Sequence, residues 1–256
     1  MSEMVTNPES GNIITIPTQV KDIRPGWVKI IINQYKIKHV QPPLSIKAEV
    51  INMKVDDCKV SSGDMSTTCK IHADVDTHGQ LENYTFIAKI LPADDPNRVY
   101  VFEANVFEKE ISIYFELLPC MRQFCLDSPL HSFLSSNIPQ CIYGSNNTDG
   151  AGVLVFECAL QQGYSHPVDP EGLSLEQVLC AVNFMAKFHA IGSALISKKL
   201  KSIQLRHPYL LNNVYGSPMM IEGAKKIFDL YAEFLSYVPD QKDLVEKFNK
   251  HCQVTT

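Results

Sequence analysis

The chain has 256 residues, 45% hydrophobic and 20% charged, the balance of a globular protein with room for one large domain or two lobes. A formal charge of −5 at pH 7 excludes a general nucleic-acid footprint, and no apolar run has the length of a membrane span. The polar start MSEMVTNPES lacks the apolar core of a signal peptide, and the eight cysteines hold no Cys-x-x-Cys pair; the expectation is a cytoplasmic protein with reduced thiols and no metal site.

Residues 1 to about 17 read as a polar, disordered lead. A helix from about Val20 to Tyr35 follows, with Pro25 near its start, and Trp27, Ile30 and Ile31 to pack against a domain. Leu44 to Lys59 is strand-like. A turn rich in Ser and Thr around Gly63 and Asp64 leads to a second strand from Cys69 to Val75, and Asp76 to Asn83 reads as the next turn. From Tyr84 to Ile90 the pattern alternates: Phe86, Ala88 and Ile90 belong to one face, and Lys89 points to the other. Pro92 and the Ala-Asp-Asp-Pro run stop this strand. In the helix that follows, Phe107, Ile111, Tyr114 and Leu118 make one apolar stripe.

A lysine on a strand and a glutamate on the next helix can hold nucleotide phosphates together, the carboxylate fixing the ammonium and the ammonium holding phosphate oxygens. The alternative is a solvated lysine with a helix-border glutamate. At roughly 100° per residue Glu110 lies about 60° from the stripe, Glu103 about 40° and Glu108 about 100°, so spacing leaves Glu103 and Glu110 both open as partners of Lys89.

After Pro119, residues 120–140 read as loop, and a strand begins near Ile138. Asn146 to Gly152 is a turn, and Val153 to Glu157 is a buried strand. Ser174 and Gln177 form a capping box for a helix with Leu175, Leu179, Val182, Ala186 and His189 down one side; His189 reads as a structural histidine with a satisfied hydrogen bond. Ser217 and Pro218 start another helix, and Asp240 caps a last one.

Several of these segments resemble the ecdysteroid-kinase-like and choline-kinase-like small-molecule kinases. Lys89, Leu91 and Pro92, then Phe107, Glu110, Ile111, Tyr114, Leu118 and Pro119, match that family's strand and helix, and the match selects Glu110 over Glu103. Leu154 to Leu160 with Gly163 and Tyr164 matches its inter-lobe hinge, and Ala186, Phe188, His189 and Ala190 match the end of its next helix. Gly63 and Asp64 stand at its phosphate-covering hairpin turn, although Met65 and Ser66 depart from the residues usual after it.

The resemblance implies an α+β, protein-kinase-like fold: an antiparallel-sheet N-lobe with one helix over 45–157, a hinge with an incomplete helical C-lobe over 158–256, and a tail and helix over 1–44. It implies ATP as nucleotide, held by Lys89, Glu110, Gly63 and Asp64 and by the backbone at Glu157, Cys158 and Ala159. It also implies a small hydroxylated acceptor, steroid- or choline-like. No catalytic or metal residue is assigned. The family's His-Gly-Asp-x-x-x-x-Asn loop and the Asp after it are absent; the only His-x-Asp is His72 with Asp74, followed by Gly79 where Asn is needed. The chain reads as stopping before the catalytic loop, with magnesium expected only if the missing C-lobe is present. Two readings stand: an incomplete phosphotransferase inactive alone, and a non-catalytic module that binds nucleotide or protein.

Overall fold

The computed structural model describes residues 15–39, 48–57, 66–91, 101, 105–147, 151–165, 172–208, 218–237 and 246–247. The polar lead up to residue 14, the Gly63–Asp64 turn, Glu103, Ser217 and the Asp240 cap lie outside them. Two compact units are divided between His207 and Pro208.

In the first unit, helix α1 (Pro25–His39) precedes strands β1 (Ala48–Asp57), β2 (Thr67–Thr77) and β3 (Gln80–Ile90). A helical segment then runs through α2 (Val106–Ser112), a π turn (Ile113–Leu117) and α3 (Leu118–Phe124), with a short α4 (Leu130–Ser136) after it. Strands β4 (Cys141–Asn146) and β5 (Gly152–Glu157) lead through a 3-10 turn (Ala159–Gln162) to the long helix α5 (Leu175–Arg206). The second unit holds α6 (Pro218–Ser236). All strand pairs are antiparallel, in one five-stranded sheet of order β1-β2-β3-β5-β4.

Alternation sorts the sheet's side chains. Ile71, Ala73, Val75, Phe86, Ala88, Ile90, Val153 and Val155 are buried in one cluster with Trp27, Val28, Ile31 and Ile32 of α1. Leu154, one residue out of phase, faces the other way, into a cluster with Leu91, Phe107 and the half-buried Ile111 and Phe156. The sheet therefore separates α1 from α2. A buried charge also fastens α1: Lys36 Nζ donates to Thr77 Oγ1 at 2.6 Å and to the Glu82 carboxylate, which also accepts from the Tyr84 hydroxyl at 2.6 Å. These bonds, that from Lys36 first, hold the Glu82 carboxyl below its ordinary value.

Three expectations need correction. The turn after β2 is tighter than the composition of Asp76 to Asn83 suggests. Thr77 pairs with Gln80, and His78 and Gly79 alone make the reversal at φ 55° and 82°. Positive φ at both central residues matches the right-handed twist of the flanking strands.

Residues 120–140 are not all loop. The helix passes Pro119 through the π turn, which accommodates a residue with no N–H to give. Leu118, Met121, Cys125 and Leu134 are then buried with Ile191, Leu195 and Ile203 of α5, so packing overrides weak local propensity.

The third correction concerns α5. The capping box forms, with Gln177 N donating to Ser174 Oγ at 3.3 Å and Ser174 N to Gln177 Oε1 at 2.8 Å. Yet the stripe of Leu175, Leu179, Val182 and Met185 is exposed, and Ile191, Leu195 and Ile203 carry the packing. Among the described residues His189 has no hydrogen bond; it is exposed, with its ring edge-on to Phe188. By length and composition, Leu175–Lys198 is also apolar enough to cross a membrane. No unbroken apolar run signals this, because Glu176, Lys187 and neighbouring polar residues interrupt the segment.

At Gly152, the start of β5, Phe107 of α2 packs directly against the strand. A Cβ there would lie 2.7 Å from a Phe107 ring carbon. Gly152→Ala is expected to cost about 1–3 kcal/mol by overpacking, read as a lower urea midpoint. An unchanged midpoint would mean that α2 is free to move off the sheet.

Candidate functional site

The site lies on the α2 face of the sheet, at its β3 and β5 strands. Alternation places Lys89 on this face, between Thr68 of β2 and Leu154 of β5. Burial of Phe107 turns α2 so that Glu110, three residues on, looks toward β3, while Glu108 is exposed. Lys89 Nζ lies 2.6 Å from Glu110 Oε2, and the two side chains keep 28% and 25% of their exposure. The Phe107 ring sits 5.6 Å from the ammonium, a second attraction that fixes the lysine head. Burial, then the Glu110 charge, pushes the neighbouring Tyr114 hydroxyl up to about 12, so it is a neutral donor at physiological pH.

The segment the resemblance reads as a hinge, Glu157 to Ala159, forms a second cluster on the same sheet. The Glu157 N–H is committed to Gln140 O at 3.0 Å and the Cys158 N–H to Thr85 O at 3.3 Å. Neither bond uses the Ala159 N–H, which opens the 3-10 turn. The Glu157 side chain is held from two sides: it accepts from the Tyr35 hydroxyl of α1 at 2.6 Å and from Gln162 Nε2 at 2.9 Å. Burial and this carboxylate push the Tyr35 hydroxyl up to about 12. Thr85 ties the turn to the sheet: its Oγ1 accepts from Gln161 Nε2 at 2.7 Å and lies 3.1 Å from His72 Nδ1.

The structure thus brings Lys89 and Glu110 together, and places Glu157, Cys158 and Ala159 apart from them, where β5 passes into the 3-10 turn. Gly63 and Asp64 lie outside the described residues. Sequence reading missed Tyr35, Thr85, Gln161 and Gln162. Tyr35 stands 122 residues from the carboxylate it holds, and no local pattern marks such a pair.

The sequence matches the Ecdysteroid kinase-like family over residues 63–255, most of the chain. The chain belongs to that family. No curated protein matches it, and no solved structure does. As an ecdysteroid kinase-like chain it carries a kinase-like architecture, which implies use of ATP.

The residues present can be tested against that group. Lys89 has three donor hydrogens and spends one on Glu110, and its partial exposure leaves the others reachable by phosphate oxygens. This fits a nucleotide. Among the described residues no group of three or more His, Cys, Asp or Glu could hold a metal ion.

Proposed function

We propose that this chain holds ATP on the Lys89 face of the sheet, as the nucleotide-binding part of a kinase-like small-molecule phosphotransferase. The observation that carries the proposal is the Lys89–Glu110 pair, formed at 2.6 Å on the side of the sheet opposite α1. Glu110 keeps the ammonium charged and aimed, and Lys89 takes the phosphate oxygens by charge-assisted hydrogen bonds. The adenine edge meets the hinge backbone from Glu157 to Ala159, where the Ala159 N–H is the donor outside the bonds to Gln140 and Thr85. Gly63 and Asp64 are assigned to the phosphates as well, since a glycine admits close backbone approach. In this reading the N-lobe ends at Glu157 and the C-lobe begins at Cys158. The acceptor is a hydroxyl of a steroid- or choline-like molecule.

A second reading, binding without turnover, is favoured by one sequence observation. No His-x-Asp-x-x-x-x-Asn pattern occurs anywhere in the 256 residues.

The test is calorimetric titration with a non-hydrolysable ATP analogue and with adenosine. A charged hydrogen bond to phosphate contributes about 1.5–3 kcal/mol, so Lys89→Ala should weaken the analogue roughly ten- to a hundredfold. Adenosine, which has no phosphates, should bind both proteins alike. Equal affinity of parent and Lys89→Ala for the analogue would refute the assignment of Lys89.

A further inference from the structure

A cavity of about 540 Å³ lies on the hinge where it faces α3 and α4. That volume is in the range of small-molecule sites. It is lined by Arg122 from the last turn of α3, Ile138 and Pro139 ahead of β4, Glu157 and Gln162 of the hinge, and Tyr164. Lys89, Glu110, Thr85 and Gln161 are not in its walls, but Glu157 and Ala159, to which the proposed nucleotide reading assigns the adenine edge, are.

Its electrostatics are unbalanced. Arg122 Nε is buried and has no hydrogen-bond partner, and no ion pair among the described residues includes Arg122. The carboxylate in the wall, Glu157, forms no ion pair with Arg122 and accepts instead from Tyr35 and Gln162. A buried guanidinium nitrogen without an acceptor is costly, and native proteins rarely leave one. The rest of the wall is mixed, with Ser135, Ser136, Asn137 and Gln140 polar and Ile138, Pro139 and Ala159 apolar. Ile138 and Pro139 offer carbon, and the Tyr164 ring is held by its hydroxyl, which donates to Ser136 O.

We infer that this cavity is a ligand site bordering the proposed adenine position, for a small molecule with one oxyanion head that pairs with the Arg122 guanidinium. A carboxylate and a phosphate ester share that chemistry. The inference stands on Arg122 and the cavity, and does not depend on nucleotide binding at Lys89.

The full chain would be titrated calorimetrically with benzoate, with phenyl phosphate and with neutral benzyl alcohol. At least one anion is expected to bind and the alcohol not, and the stronger anion identifies the head group. Arg122→Gln, which keeps good helix propensity, should weaken that anion tenfold or more, and Lys89→Ala should leave it unchanged. If Arg122→Gln fails to give the parent's circular dichroism, Arg122→Lys carries the comparison. Its point charge lacks the Nε donor, and a threefold or larger loss is expected. Failure of both anions to bind overturns the inference. So does an anion affinity indifferent to the Arg122 change, or one lost in Lys89→Ala, which would place the anion on the lysine face.

Discussion

Trp27→Ala is expected to destabilise the Met1–His207 unit by about 3–5 kcal/mol, the usual cost of removing a large buried ring. Trp27 is 7% exposed and lies in the cluster that joins α1 to all five strands. Its ring stands edge-on to Tyr143 of β4, at 5.9 Å and 85°, a favoured aromatic geometry. Trp27→Phe should lose less, for two reasons. It keeps a ring against Tyr143, and it removes an indole N–H that is buried without an acceptor. Trp27 is the sole tryptophan, so unfolding of both variants must be followed by far-UV circular dichroism in urea. A Trp27→Ala midpoint equal to the parent's would make α1 an appendage of the sheet. The consequence reaches the hinge, because α1 also carries Tyr35, which holds the Glu157 carboxylate.

The second large effect concerns turnover. The purified 256-residue polypeptide is expected to form no phosphorylated product above a Lys89→Ala control, given magnesium-ATP and a panel of hydroxylated steroids, choline and ethanolamine. Phosphoryl transfer depends on positioning and on charge stabilisation of the transferring group, and each such group is worth on the order of a hundred- to a thousandfold in rate. Lys89 can supply one of these charges. The His-x-Asp pair in the sequence cannot supply another from where it stands. His72 lies beside Thr85 Oγ1 at 3.1 Å, and Asp74 accepts from Asn52 at 3.2 Å and from Asn83 at 2.6 Å, all within the sheet. Product that forms with the parent and disappears with Lys89→Ala would overturn the expectation. Nucleotide binding without product would favour the binding module.

Much of the lysine site was legible from local pattern. A period of two put Phe86, Ala88 and Ile90 on one face of β3 and Lys89 on the other, and burial follows that division. A helical period brought Glu110 near the border of the Phe107 stripe, but it left Glu103 as a rival, and only the family motif separated them. The capping box at Ser174 and Gln177 was readable because both partners lie within one turn. Such features depend on residues a few positions apart, so a short window of sequence carries them.

The remaining features were settled by contacts between distant segments. The exposed side of α5 has a clear apolar stripe, yet the side that α3 and α4 cover is the one carrying Ile191, Leu195 and Ile203. A stripe states that a face can be buried, and which neighbour arrives decides whether it is. The hinge shows the same limit. Tyr35 and Glu157 meet because α1 lies across the sheet, and Arg122 meets the cavity because the π turn carries the helix past Pro119. Each of these placements is the sum of many packing contacts spread over the chain, and no residue near Tyr35 or Arg122 in sequence encodes it.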